Sequence, residues 1–500
     1  MTTPTDQPRS TTTAWIGAII TAAIGATILF SAEAGINWPI WVSAASGSLI
    51  LARYSAVRRV ETPLLVLCSW AVLLSIGFAL TTTPPFPFFI VLADAMLLGL
   101  AVITLGAPRW EDLSARLLAA VPFLAPFRVF TASAQEVAGA PRSVSSPRSR
   151  ALLRGGLLTV PLVIVLVALL ASADPIISWG TDRITSWLPD WSFPPRLVFF
   201  LFLLALSLGA NALGIRQLAT RLPQYPSIST RISIGMTEQR MIRWSAAVIL
   251  WLFVALQISY FIHPPPAALG TGITFAEFAR RGFGELSFAV TIVGAIIIIL
   301  EYARPADLTD RDRQTLRRLD FALLVALELI LISAFRRVML YEQAYGYTEA
   351  RVIAQAYMVG MALALGALAW EISRGFISVS FGRRVAEIAL GAFTVLVFWN
   401  FQAWIVNRNV DRIASGARFD AFYLSRLSPN AIPALIKRLP EIPQPQRDTV
   451  ERTLACRTMS PHDRWYEWNR SVEAAKSAMA SWTKPPCPPK TQSAPLTVDD

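Results

Sequence analysis

Two carboxylates, Asp94 and Glu328, stand inside stretches of about 20 otherwise apolar residues. An ionisable group at mid-bilayer costs roughly 3 kcal/mol even on the mildest insertion scales, so each must do something. Either group can couple a proton to another event. Pairing with an arginine, or burial as a neutral acid, accounts for each equally well. A second set gathers at the ends of two such stretches. Glu277, Arg280, Arg281 and Glu285 lead into one, and Arg336, Arg337, Tyr341, Glu342 and Tyr345 close another. Phe275, Phe278, Ala279 and Phe283 share one helical face there, leaving the charges on the other. Glu277, Glu285 or Glu342 can neutralise these arginines. The other partner is an anionic ligand such as a lipid phosphate, which guanidinium binds through two parallel hydrogen bonds.

Soluble-enzyme signatures are missing: no G-x-S-x-G, no Walker lysine motif, no G-x-G-x-x-G opening a helix. The two histidines, His263 and His462, have no partners at ligand spacing, so neither a metal nor another cofactor is expected. Net charge is +12, but the arginines sit in short gaps between apolar runs rather than on a basic domain. Nucleic acid is therefore not an expected partner.

The elements that must position these groups are membrane spans. With 54% hydrophobic and 16% charged residues, the chain lies far from a soluble average. Eleven apolar runs are long enough to cross a bilayer as helix: 14–31, 36–52, 64–81, 86–105, 157–173, 197–215, 241–262, 286–302, 321–340, 352–370 and 385–405. The gaps after the even-numbered spans hold 22 arginines and the odd-numbered gaps hold 5. This alternation is the positive-inside pattern, and keeping the short, serine-bearing second span preserves it. The first run is read as a retained span, because 31–34 is only a loose cleavage site. The predicted fold is all-α: a polytopic integral membrane protein of about eleven transmembrane helices with a small helical C-terminal tail outside the cytoplasm.

On this topology residues 1–13 are cytoplasmic and 14–405 form the transmembrane domain. Its largest cytoplasmic loop, 106–156, opens with a short amphipathic segment (Trp110, Leu113, Leu117, Val121), read as an interfacial helix, and ends in a flexible linker. Trp179, Trp187 and Trp191 on the following outward loop suit an aromatic belt. Residues 406–483 form the tail and 484–500 a proline-rich, disordered end. Within 463–482, Trp465, Trp468, Val472, Ala475, Met479 and Trp482 define one helical face, which packs on earlier tail helices or lies on the membrane. Cys68 falls in the third span and reads as a small apolar residue. Cys456 and Cys487 fall in the tail, where an oxidising compartment favours a disulfide between them.

Several strings resemble a family of bacterial membrane proteins carrying domain of unknown function 4173, close to 4153. They are GITFAEFARRG at 272–282, RVMLYEQAYGYT at 337–348, NRNVDR at 407–412, FDAFYLSRLSPNAIPA at 419–434, and ADPI at 173–176. The resemblance covers the C-terminal two-thirds of the chain. It implies a polytopic bacterial membrane protein and brings no activity or catalytic residue with it. It also draws attention to Asn407, Asn409 and Arg412 just after the last span. These residues either hydrogen-bond loop backbone and cap the next helix, or roof a polar chamber shared with Arg336 and Tyr341.

Three functions fit. The first is transport or handling of a lipid or envelope precursor in a bacterial inner membrane, through the outward Arg/Glu/Tyr cluster, with Asp94 or Glu328 coupled to protons. The second is a membrane-embedded transferase acting on a lipid-linked substrate. The third is a scaffold or sensor whose tail binds an envelope protein. Membrane lipids are partners under all three.

Overall fold

A computed structural model describes residues 7–106, 115–139, 193–216, 234–262, 283–305, 308–375, 380–417, 419–459, 464–483 and 485–487. Helix dominates and no strand occurs among them. The chain divides into two compact units.

The first unit comprises 1–80, 85–227 and 462–469. Its helices are α1 (Gln7–Ile28), α2 (Asn37–Val57), α3 (Thr62–Leu80), α4 (Phe86–Ile103), α5 (Ala115–Gly139) and α6 (Phe193–Arg216). They pack in chain order, and α6 returns to α1 and α2. Small residues set this closeness. Ala14, Ala18, Ala22 and Ala26 form a buried stripe at four-residue spacing along α1. A Cβ on Gly209 of α6 would lie 1.9 Å from the Val129 carbonyl oxygen, so only glycine admits the α5 backbone there. Seven residues on, Arg216 pairs with Glu136 at 2.5 Å. Equal steps along both helices mean that α5 and α6 run in the same direction. The short interfacial segment expected in 106–156 is thus replaced by a 25-residue helix packed on α4 and α6. The expectation went astray because α5 hides its packing face behind Pro122, Pro126 and Arg128.

The second unit comprises 81–84, 228–461 and 470–500. It holds α7 (Met236–Ile262), α8 (Phe283–Tyr302), α9 (Asp310–Tyr345), α10 (Glu349–Ser373), α11 (Phe381–Phe398) and α12 (Phe401–Asp411), then the short tail helices α13 (Ala421–Ser425), α14 (Ile432–Arg438), α15 (Gln446–Ala455) and α16 (Arg470–Ala480). The core is built around α9. Leu316, Leu319, Leu323, Leu327, Ile330, Ala334 and Val338 recur at three- and four-residue steps and are buried against α7, α8 and α10. With 36 residues, α9 is about 54 Å long and outreaches the hydrocarbon core. Thr309 caps its start, accepting from the Asp312 amide at 3.2 Å. Near that end Arg243 of α7, wholly buried, bonds Asp320 of α9 at 2.6 Å and Glu301 of α8 at 3.0 Å. This pairing ties three helices at one level.

Eight helices among the described residues are long and apolar enough to cross a membrane: α1 to α4, α6, α7, α8 and α10. The predicted ninth span lies inside α9, whose Glu328, Arg336 and Arg337 lower its apolar character. The predicted fifth span, 157–173, lies outside the described residues, as do Trp179, Trp187 and Trp191. The predicted eleventh span, 385–405, is broken in two, and counts as a ninth span among the described residues only if the bent pair crosses as one. Its helix stops at Phe398, and α12 leaves at 65°. Asn400 makes the break, its Oδ1 capping the Ala403 amide at 3.1 Å. The tail helix expected over 463–482 also shortens to Arg470–Ala480, with Trp465 and Trp468 exposed ahead of it.

Candidate functional site

The turn from α9 to α10 gathers polar contacts from four helices of the second unit. Helix α9 ends because Gly346 takes φ +89°, a left-handed value that glycine tolerates. Its N–H returns to the Glu342 carbonyl at 2.8 Å. A Cβ at Gly346 would also lie 2.5 Å from Asn409 Oδ1 and 2.9 Å from Arg412 Nη1. Both residues come from the end of α12. Asn409 Nδ2 donates to the Tyr347 carbonyl at 2.9 Å, and its Oδ1 accepts the Tyr347 N–H at 2.9 Å. Arg412 donates through Nη2 and Nε to the Gln343 carbonyl at 2.6 and 3.2 Å. That carbonyl is one of the last-turn acceptors that a helix leaves unpaired, and a cation there also complements the helix dipole.

From α10, Arg351 donates to the Gly346 carbonyl and lies 4.2 Å over the Tyr341 ring, which in turn packs 4.8 Å from Tyr345. The Glu349 N–H donates to Tyr423 Oη at 2.8 Å, and Glu349 accepts from Gln402, which accepts from Ser428. Tyr347 meets Trp404 edge-on at 5.0 Å, and Arg408 lies 5.6 Å from the Trp404 ring. Thus α9, α10, α12 and α13 are joined at one turn.

Electrostatically the joint is lopsided. Among the described residues Arg351, Arg408 and Arg412 have no carboxylate within ion-pair distance; carbonyls and rings hold them instead. Burial, and then the like charge of Arg351, lower the Arg412 pKa against an opposing effect of Tyr347. Burial pushes the Tyr423 phenol up to about 12.

The residues expected to matter divide as follows. Asn409, Arg412, Tyr341, Tyr345 and Glu342 meet at this joint. Glu342 is buried, with Oε2 accepting from Gln355 at 2.7 Å and Oε1 without a hydrogen-bond partner among the described residues. Arg337 turns to Gln257 of α7 at 2.8 Å, where Ser333 also donates at 2.8 Å. Arg336 is exposed on α9, Glu285 is exposed in the first turn of α8, and Asn407 is half-buried on α12. Glu277, Arg280 and Arg281 lie outside the described residues. Asp94 belongs to the first unit, buried on α4 with Trp38 Nε1 donating to its Oδ2 at 2.7 Å; Glu328 is half-buried on α9. Cys456 and Cys487 are joined by a disulfide, and Cys68 is a buried free thiol. Sequence reasoning missed Arg351, Gln402, Glu349 and Tyr423 as joint residues. Arg351 carried a signal, being the lone arginine of its outward gap.

A family model described as a domain of unknown function (DUF4153) matches residues 68–438. This is the 4153 domain rather than its neighbour 4173, and the match extends the resemblance back to the third helix. Comparison with curated proteins and with solved structures gives no match.

Proposed function

We propose that this chain, which belongs to the DUF4153 family, handles an anionic lipid or envelope precursor at the α9–α10 joint, on the outward face of a bacterial inner membrane. It is an integral membrane protein with several apolar spanning helices. The observation that carries the reading is the convergence of Arg351 and Arg412 on one turn, where among the described residues neither has a carboxylate within ion-pair distance and Glu342 acts on Arg351 only from beyond it. Two adjacent guanidinium groups held by neutral acceptors keep their charge available to an anion, and a phosphate suits their fork geometry. The aromatic rings of Trp399, Trp404 and Tyr347 beside them favour a site at headgroup depth. The arginine asymmetry and the tail disulfide support an outward tail.

A second reading, a non-catalytic scaffold, draws on the same joint. Asn409, Gln402 and Tyr423 spend their hydrogen bonds on neighbouring backbone and side chains, which suits a mount for the tail.

The test is lipid selectivity of the full chain in nanodiscs made from phosphatidylglycerol and phosphatidylcholine mixtures, read by native mass spectrometry of retained lipid. R351Q/R412Q is expected to lower the preference for the anionic lipid about tenfold, and R351K/R412K to retain part of it. Equal retention of both lipids by the wild-type chain would leave the scaffold reading.

A further inference from the structure

The first unit carries a cavity of about 430 Å³, open on one side, between α2, α4, α5 and α6. A concave space of this size, lined mainly by apolar side chains with a few polar groups, has the form of a small-molecule site. Water is a poor occupant, because it needs two to four polar partners and the wall is mostly aliphatic. The wall follows α2 from Trp38 to Leu49 and α4 from Val91 to Val102. At 1.5 Å per residue each stretch is about 16 Å long, so the space runs along the helices and suits a chain. Small side chains such as Ala45 and Ala210 leave it open, and half-exposed Leu92 marks a lateral rim.

Polar groups in the wall are few, and one is half-used. Asp94 is wholly buried and accepts from Trp38 Nε1 through Oδ2, while Oδ1 has no hydrogen-bond partner among the described residues. A buried carboxyl oxygen left unbonded is costly, and a donor from an occupant would satisfy it. Trp41 Nε1 is also unbonded, but it sits against Gly25 of α1 and is not assigned to the occupant. At the far end Asn211 Nδ2 is already committed to Ser48 Oγ at 2.8 Å and to the Ala14 carbonyl at 3.1 Å. On α5, Pro122 and Pro126 also face the cavity, and each lacks the N–H that would bond the carbonyl four residues earlier. The acceptor of this wall left for an occupant is thus Asp94 Oδ1.

We propose that this cavity binds a single-chain apolar molecule ending in a hydrogen-bond donor, a hydroxyl or an amine, with Asp94 as the acceptor of that head. The site is independent of the α9–α10 joint and stands whether or not the joint binds lipid.

The experiment is photo-crosslinking of the full chain in nanodiscs with a diazirine-bearing dodecanol, and with the matched amine, methyl ketone and alkane. Labelled residues are mapped by mass spectrometry. Expected are alcohol crosslinks on α2, α4 and α5 at the cavity wall, competed by unlabelled dodecanol and lost in A45L/A210L. D94N, which replaces an acceptor oxygen by a donor, should lower alcohol labelling about tenfold and raise that of the ketone. A structural role for Asp94 would not reverse the head preference. Stronger labelling by the amine than by the alcohol would assign the donor to a cationic head and support the site. Labelling confined to exposed positions such as Phe123 and Phe127, or unchanged in both variants, would overturn it.

Discussion

Asn409 satisfies both backbone groups of Tyr347, donating to its carbonyl and accepting its N–H, each at 2.9 Å. A single side-chain amide thereby satisfies the backbone of the connection between α9 and α10 as a neighbouring chain segment would. Its Nδ2 also donates to the Ile405 carbonyl at 2.9 Å, which fixes the amide to its own helix. The seat of the tail therefore includes one side chain that cannot be replaced isosterically. Aspartate lacks the donor, and leucine lacks both functions.

Asn409→Ala is expected to destabilise the chain by about 2 kcal/mol, because it leaves part-buried backbone groups of Tyr347 unbonded. A lower melting temperature of the detergent-solubilised protein, with faster amide exchange at 346–348, would register it. Unchanged exchange there would mean that the bond pair contributes nothing.

Gly346→Ala should cost more than the asparagine change. It meets both an unfavourable φ of +89° and a Cβ contact of 2.5 Å with Asn409 Oδ1. Since the second penalty requires Asn409, the double variant G346A/N409A should fall short of the summed single effects. Strict additivity in a thermal double-mutant cycle would refute the steric coupling.

Arg243→Met strands the buried carboxylate of Asp320 and leaves Glu301 only its pair with Arg304, all in the second unit. Breaking one side of such a network typically costs about 3–5 kcal/mol. Neutralising Asp320 as well, in R243M/D320L, should recover much of that loss, as unfolding in graded SDS would reveal. A single variant as stable as wild type would show that Arg243 is not the tie between α7, α8 and α9.

Tyr423 gives a pH signature. Its phenol titrates at about 12 in the folded chain, above the usual value of roughly 10, mainly through burial. The native state then holds this proton more tightly than the unfolded state. Its contribution is complete below about pH 10 and is lost as pH rises toward 12. A difference titration of phenolate absorbance between wild type and Y423F should show one tyrosine ionising late. A missing residue that ionises near pH 10 would contradict the burial.

Much of this organisation was legible in the chain, for identifiable reasons. Runs such as 64–81 and 286–302 have no alternative to a spanning helix, because their apolar side chains and backbone groups are both satisfied that way. Asn409, Arg412 and Tyr341 were legible as unusual polar types beside a span end. What escaped was three-dimensional. The break at Trp399–Asn400 interrupts a largely apolar run in which Asn400 reads as one isolated polar residue, and its capping bond discloses the break. Helix α5 carries two prolines and an arginine, and its place depends on the missing side chain of Gly209. Arg351 has no apolar periodicity or motif to single it out, although its guanidinium closes the joint.

The account depends on the joint and tail facing outward, and labelling of the tail cysteines tests this most directly. On a Cys68→Ala background, intact spheroplasts would be treated with a membrane-impermeant maleimide, with and without reductant. The account predicts that Cys456 and Cys487 label in intact cells only after reduction. Labelling that appears only after lysis would place the tail in the cytoplasm and contradict the outward joint.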